Sequence, residues 1–157
     1  MPPKLIKDLG QVDLEHVEAT LEDIRRFNPQ RFEMEQLSAI SYFDADEQVV
    51  IGYKDVSEDE FWVRGHIPGR PLMPGVIMCE AAAQLCSYYF KRVTSTDQFL
   101  GFGGMQDVKF RGQVVPGSRL VLLARNTDLR SRRATFDCQG VVDGKLVFEA
   151  VIIGMPV

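Results

Sequence analysis

GHIPGRPLMPG (residues 65–75), running directly into VIMCEAAAQLCSYYF (residues 76–90), decides the fold of this chain. The first part holds three prolines and three glycines and reads as a fixed irregular loop. The second is long enough for about four helical turns and is apolar on nearly every side. A helix of that kind belongs in the middle of a core. Within it stands a single carboxylate, Glu80, among Val76, Ile77, Met78, Cys79, Ala81, Ala82 and Ala83. A carboxylate there is costly to desolvate unless it has a partner or keeps its proton, and a Glu that keeps its proton is a ready general acid. Gln84 lies one turn further along the same face, in reach of Glu80.

Outward from this helix the texture is that of strands. On the C-terminal side four segments read as strands: Phe99 to Phe110, Arg119 to Asn126, Ala134 to Val142 and Leu146 to Met155. Pro116-Gly117 and Asp143-Gly144 mark turns, the second a hairpin signal. On the N-terminal side Leu37 to Phe43 and Val49 to Tyr53 read as strands around the turn Asp44-Ala45-Asp46-Glu47. Ser57-Glu58-Asp59-Glu60 has capping-box spacing and predicts a short helical turn. Leu14, Val17, Leu21 and Ile24 recur at helical spacing and predict an amphipathic helix over Asp13 to Phe27, closed by Asn28-Pro29. Two strands, one buried helix and four strands suit an α+β fold, an antiparallel sheet wrapped around the helix. The expected organisation is one domain over residues 1–157, with residues 1–30 a helical extension.

Composition narrows the classes. The 157 residues are 45% hydrophobic and 25% charged, with a formal net charge of −4, which suits a folded globular chain and argues against nucleic acid or an anionic membrane as main partner. No stretch approaches the roughly 20 apolar residues of a membrane span, and the N-terminus carries no signal-peptide pattern. Cys79, Cys86 and Cys138 lack metal-ligand spacing and read as reduced thiols, so no metal site is expected and the cytoplasm is the expected address.

His66 is the second candidate for chemistry. It sits between Gly65 and Ile67-Pro68, and an imidazole is the usual group for moving a proton near neutral pH. Gly75 opens the helix, where the first N–H groups have no intrahelical acceptor and, with the helix dipole behind them, suit a developing oxyanion. Base, acid and oxyanion donors thus fall within fifteen residues.

This combination resembles the β-hydroxyacyl-acyl-carrier-protein dehydratases of the FabZ type, whose signature has GHFP, two further prolines, PGV and a Glu-Ala-x-Ala-Gln helix turn. The His-to-Glu spacing agrees, as do Pro68, Pro71, Pro74, Gly75 and Gln84. DVKFRGQVVPGSRL (residues 107–120) resembles the family's later strand turn, and VVDGKLVFEA (residues 141–150) its last hairpin. The similarity runs from about Phe61 to the C-terminus.

The resemblance implies a hot-dog fold, in which a homodimer, often assembled further into a hexamer, takes His from one subunit and the acid from the other. It implies His66 as the base at C2, Glu80 as the acid at the C3 hydroxyl, and the Gly75 N–H on the thioester carbonyl, with Gln84 orienting Glu80. No metal or redox cofactor is implied; the acyl chain arrives on the phosphopantetheine of an acyl carrier protein or as a coenzyme A thioester. Lys109 and Arg111, with Arg130, Arg132 and Arg133, would offer a basic patch to an acidic carrier.

Three departures stand out. Pro29-Gln30-Arg31-Phe32-Glu33-Met34-Glu35-Gln36-Leu37-Ser38-Ala39 replaces a Pro-His-Arg-Tyr-Pro-Phe-Leu-Leu-Val-Asp-Arg motif, Ile67 replaces an aromatic, and Leu100-Gly101-Phe102-Gly103-Gly104 stands where a gating tyrosine is expected. Two alternatives remain open at this level: a hot-dog acyl thioesterase, and a non-catalytic module that binds an acyl carrier.

Overall fold

The computed structural model describes residues 3–157. Its centre is helix α2, Gly75–Thr94, one turn longer than its apolar stretch suggests. The added turn carries Lys91 and Arg92, whose charges suit the negative end of the helix, and Ser95 ends it in the left-handed conformation at φ 54°. Around it curves a six-stranded antiparallel sheet: β1 (Ala39–Asp44), β2 (Val49–Asp55), β3 (Leu100–Phe110), β4 (Arg119–Arg130), β5 (Arg133–Val142) and β6 (Lys145–Pro156). The strand order is β1-β2-β4-β5-β6-β3, so β1 and β3 are the edges. This is the hot-dog arrangement implied by the helix motif.

Pleat alternation sorts the strands onto two cores. Ile40, Val50, Leu122, Phe136, Phe148 and Ile152 pack inward with Met78, Leu85, Cys86 and Tyr88 of α2. The outward residues Val49, Ile51, Tyr53, Val121, Leu123 and Val141 form a second, smaller cluster, covered by Leu5, Ile6, Leu9, Val12 and Leu14. The β2 stretch Val49-Val50-Ile51 is therefore continuously apolar because both its faces are covered. At the β5–β6 hairpin, Asp143 (φ 50°) and Gly144 (φ 76°) are both left-handed. That is the requirement of a type I′ turn, which matches the right-handed twist of the strands.

Two local expectations are corrected. The helix expected over Asp13 to Phe27 is confined to α1, Leu21–Arg25, and among the described residues the only other helical piece before residue 30 is a 3-10 turn at Leu9–Gln11. Residues 18 and 19 give their backbone to the sheet instead: the N–H groups of Glu18 and Ala19 donate to Ile40 O at 2.8 and 3.2 Å, and Ile40 N returns a bond to Ala19 O at 2.9 Å. That bridge covers part of the open edge of β1. Thr20 then starts α1 through a capping box with Asp23. At Ser57–Glu60 the reciprocal contact forms, with Ser57 N donating to Glu60 Oε2 at 2.9 Å, yet no helix follows. Glu60 is drawn to Lys54 Nζ at 3.1 Å.

Candidate active site

His66 sits on the exposed loop between β2 and α2, and three hydrogen bonds fix it. Its N–H donates to Trp62 O at 2.8 Å, and its own carbonyl accepts from Leu72 N at 2.7 Å. Its ring Nδ1 lies 2.8 Å from Leu72 O. A carbonyl oxygen only accepts, so Nδ1 carries a proton, and in the neutral ring Nε2 holds the lone pair, the tautomer a general base needs. Met73 N donates to Val114 O at 2.8 Å, tying the loop to the β3–β4 connection.

The imidazole borders a cavity of about 430 Å³ lined also by Met73, Gly75, Val76, Met78 and Phe110. At its edge is the start of α2. Pro74 is the N-cap and offers no side-chain cap. Its carbonyl takes the N–H groups of Ile77 and Met78 at 2.9 and 3.2 Å, so those of Gly75 and Val76 meet no protein acceptor among the described residues. Packing favours glycine at 75: a Cβ there would lie 2.7 Å from Phe110 Cζ, and the ring would have to move. Phe110 in turn stacks on Phe148, with ring centroids 5.7 Å apart. A second cavity of about 410 Å³ lies on the outer face, beside Leu5, Ile6 and the Arg125–Asp137 pair, and includes none of these groups.

Glu80 is half-buried, about 7.5 Å further along the helix axis than Gly75 at the standard rise. It does not line the His66 cavity. One chain thus brings together His66, Gly75 and Phe110, and holds Glu80 apart. Gln84 donates from Nε2 to Glu80 Oε1 at 3.0 Å, the pairing expected one helical turn away. The same amide reaches residues that sequence reasoning did not assign to the site. Its Nε2 also donates to Met34 O at 2.6 Å, and its Oε1 accepts from Gln36 N at 2.9 Å. Asn28, taken from sequence as a helix stop, donates from Nδ2 to Gln84 O at 2.9 Å.

The five basic residues do not form one patch. Lys109 and Arg111 both reach Glu149, at 4.0 and 3.2 Å, while Arg130 and Arg133 reach Asp128 at 2.9 and 3.7 Å. Lys109 is opposite Glu149 and Ala134 is opposite Gly154, so the two groups stand about 17 Å apart along β6. All three thiols are free and buried, and burial pushes Cys86 well above the ordinary thiol range. Among the described residues no group of three or more His, Cys, Asp or Glu side chains is placed to hold a metal ion, and no helix is long and apolar enough to cross a membrane.

The chain is similar to known proteins along most of its length. The model of the FabA-like domain matches residues 28–151. A 3-hydroxyacyl-[acyl-carrier-protein] dehydratase FabZ from Clostridium beijerinckii is 34% identical over 138 residues, covering 85% of this chain and 95% of the relative. Its counterpart from Clostridium botulinum strain Okra is 33% identical over 137 residues, covering 85% and 92%. Among solved structures, the dehydratase heterocomplex ApeI:P from Xenorhabdus doucetiae superposes with a TM-score of 0.72 at 16% identity, covering 85% of this chain and 90% of that one. A mutant thioesterase PA1618 from Pseudomonas aeruginosa gives 0.60 at 19% identity, covering 76% and 81%. At those identities the two structures speak for the fold alone. With the family model spanning most of its length and the curated relatives matching 85% of it, the chain belongs to the FabA-like domain family and, within it, to the FabZ-type dehydratases.

Proposed function

We propose that this chain converts a (3R)-hydroxyacyl-acyl carrier protein to the trans-2-enoyl thioester in fatty acid biosynthesis, with His66 as base and Glu80 as acid. The observation that carries the assignment is His66, whose ring Nδ1–H is committed to Leu72 O and which lines a largely apolar cavity at a helix N-terminus. His66 Nε2 takes a C2 proton, and the N–H of Gly75 holds the negative charge that develops on the thioester oxygen. Glu80 gives a proton to the C3 hydroxyl, which leaves as water while C2 and C3 become doubly bonded. Reprotonation of Glu80 and deprotonation of His66 close the cycle. Every step is assigned to a protein group, and the acyl chain is delivered on phosphopantetheine.

The acid comes from a second copy of the chain. Two features support this reading: Glu80 stays outside the His66 cavity, and β3 is an open edge strand exposing Phe102 and Met105. A dimer joined there, alone or built into a hexamer, works in the cytoplasm as a single hot-dog unit per chain. Lys109 and Arg111, on either side of Phe110 in sequence, are the residues assigned to the acidic carrier.

Formation of the conjugated enoyl thioester tests the reading. His66→Ala and Glu80→Gln should each slow it by roughly 10²–10⁴-fold, the usual contribution of one acid or base. Mixed and reassembled, the two inactive variants should recover activity, because one site of each mixed dimer keeps both groups. Release of free thiol without enoyl product would identify a thioesterase instead, and an absence of recovery would place the acid within the same chain.

A further inference from the structure

The segment that departs from the family's N-terminal motif meets the acid from behind. Asn28, Gln36 and Gln84 are 4%, 1% and 3% exposed, a cluster of buried amides next to Glu80. Only one orientation of the Gln84 amide satisfies its neighbours. Gln36 N is a donor and must face Oε1, so both hydrogens of Nε2 are left for Met34 O and Glu80 Oε1. The direction of the Glu80 carboxyl therefore depends on where the backbone of residues 34 and 36 lies.

That backbone is held in turn. Arg25 grips Glu35 with two bonds, Nε to Oε2 at 2.6 Å and Nη2 to Oε1 at 2.9 Å. Arg31 donates to the carbonyls of Asn28 and Gln30 at 2.7 Å and of Arg25 at 3.1 Å. Asn28 fastens the start of the segment to Gln84 O. We propose that Asn28 and the Arg25–Glu35 pair are positioning residues for the acid, acting through the backbone of residues 34–36 and the Gln84 amide. The proposal rests on the reading of Glu80 as general acid.

The test exploits what a general acid is for. Hydroxide leaves only when protonated, whereas chloride leaves without a proton. Variants are assayed with a 3-hydroxyacyl and a 3-chloroacyl thioester, the latter over its uncatalysed rate, with folding checked by thermal melting. Glu80→Gln sets the scale: large loss with the hydroxyl substrate, little with the chloro substrate. Asn28→Ala and Glu35→Gln should lower kcat for the hydroxyl substrate by about tenfold, a fraction of the acid's full contribution. Their KM and their rate with the chloro substrate should hold.

Glu35→Gln keeps the shape of the partly exposed pair and carries the test if Asn28→Ala does not fold. Equal slowing of both substrates, or of neither, in folded variants overturns the positioning role while Glu80 remains the acid. Equal slowing of both by Glu80→Gln overturns the acid assignment itself, and this proposal with it.

Discussion

The loop that carries His66 and the segment that holds Gln84 serve the start and the middle of the same helix, and they are built in opposite ways. The loop is exposed, and its bonds to Trp62 and Leu72 are all within ten residues of one another in sequence. The segment from Asn28 to Gln36 is tied to α2 by bonds spanning 48 to 56 residues, through amides almost fully withdrawn from water. The contrast suits the two proposed tasks. A base must meet a carbon that enters from solvent, so its group stands at an open cavity. A carboxyl proposed as acid has to be aimed, and the Gln84 amide keeps one orientation because the flipped one would set its Nε2 hydrogens against Gln36 N–H.

The strongest way to break the contrast is Gln84→Leu. It leaves Gln36 N–H and Met34 C=O without their partner, while the Asn28 bond to the Gln84 backbone carbonyl remains, at a cost of about 1–3 kcal/mol for each buried group left unpaired. Urea unfolding should show that loss. A near-native midpoint would mean that the segment holds itself in place without the helix.

Gly75→Ala probes the other region. Its Cβ would push the Phe110 ring off the helix start, and overpacking of this kind costs about 1–3 kcal/mol. Adding Phe110→Ala removes the obstacle, so the double variant should be more stable than the sum of the two single losses. Strict additivity in a thermal or urea series would show that the ring is not what requires glycine.

The smallest effect belongs to Glu35→Gln and reveals itself through pH. The hydrogen bonds and charge of Arg25 hold the Glu35 carboxyl below its ordinary value. Its stabilisation is therefore complete above the ordinary carboxylate range and is lost as pH falls through the lowered folded value. Wild type should melt slightly higher than the variant at neutral pH, with the gap, about 1 kcal/mol or less for such a pair, closing in acid. A gap that persists unchanged in acid would detach it from the charge of Glu35.

Legibility followed range along the chain. Helix α2, the Asp143-Gly144 turn and the fixed loop were readable because local rules of periodicity, left-handed turn residues and proline act within a few residues. The segment before α1 was misread because its apolar spacing fits a helix, while its backbone is claimed by Ile40, some twenty residues away in sequence. A signal for the true helix start was present in Thr20-x-x-Asp23. Asn28 looked like punctuation before Pro29, and nothing near it in sequence announces a partner at Gln84. The basic residues looked like one patch because sequence does not show that Glu149 and Asp128 divide them.

By itself, the sequence determined the chemical inventory: an imidazole in a rigid loop, an uncapped helix start at Gly75 and one carboxyl in an apolar helix. Those are properties of residue type and spacing, which local backbone rules translate directly. Only the tertiary structure decided that His66 and Glu80 of one chain do not share a cavity, that the Phe110 ring crowds position 75, and that the rewritten N-terminal segment reaches Glu80 through Gln84. Each depends on groups far apart in sequence meeting at hydrogen-bond or van der Waals distance, and only the packed sheet around α2 sets those distances.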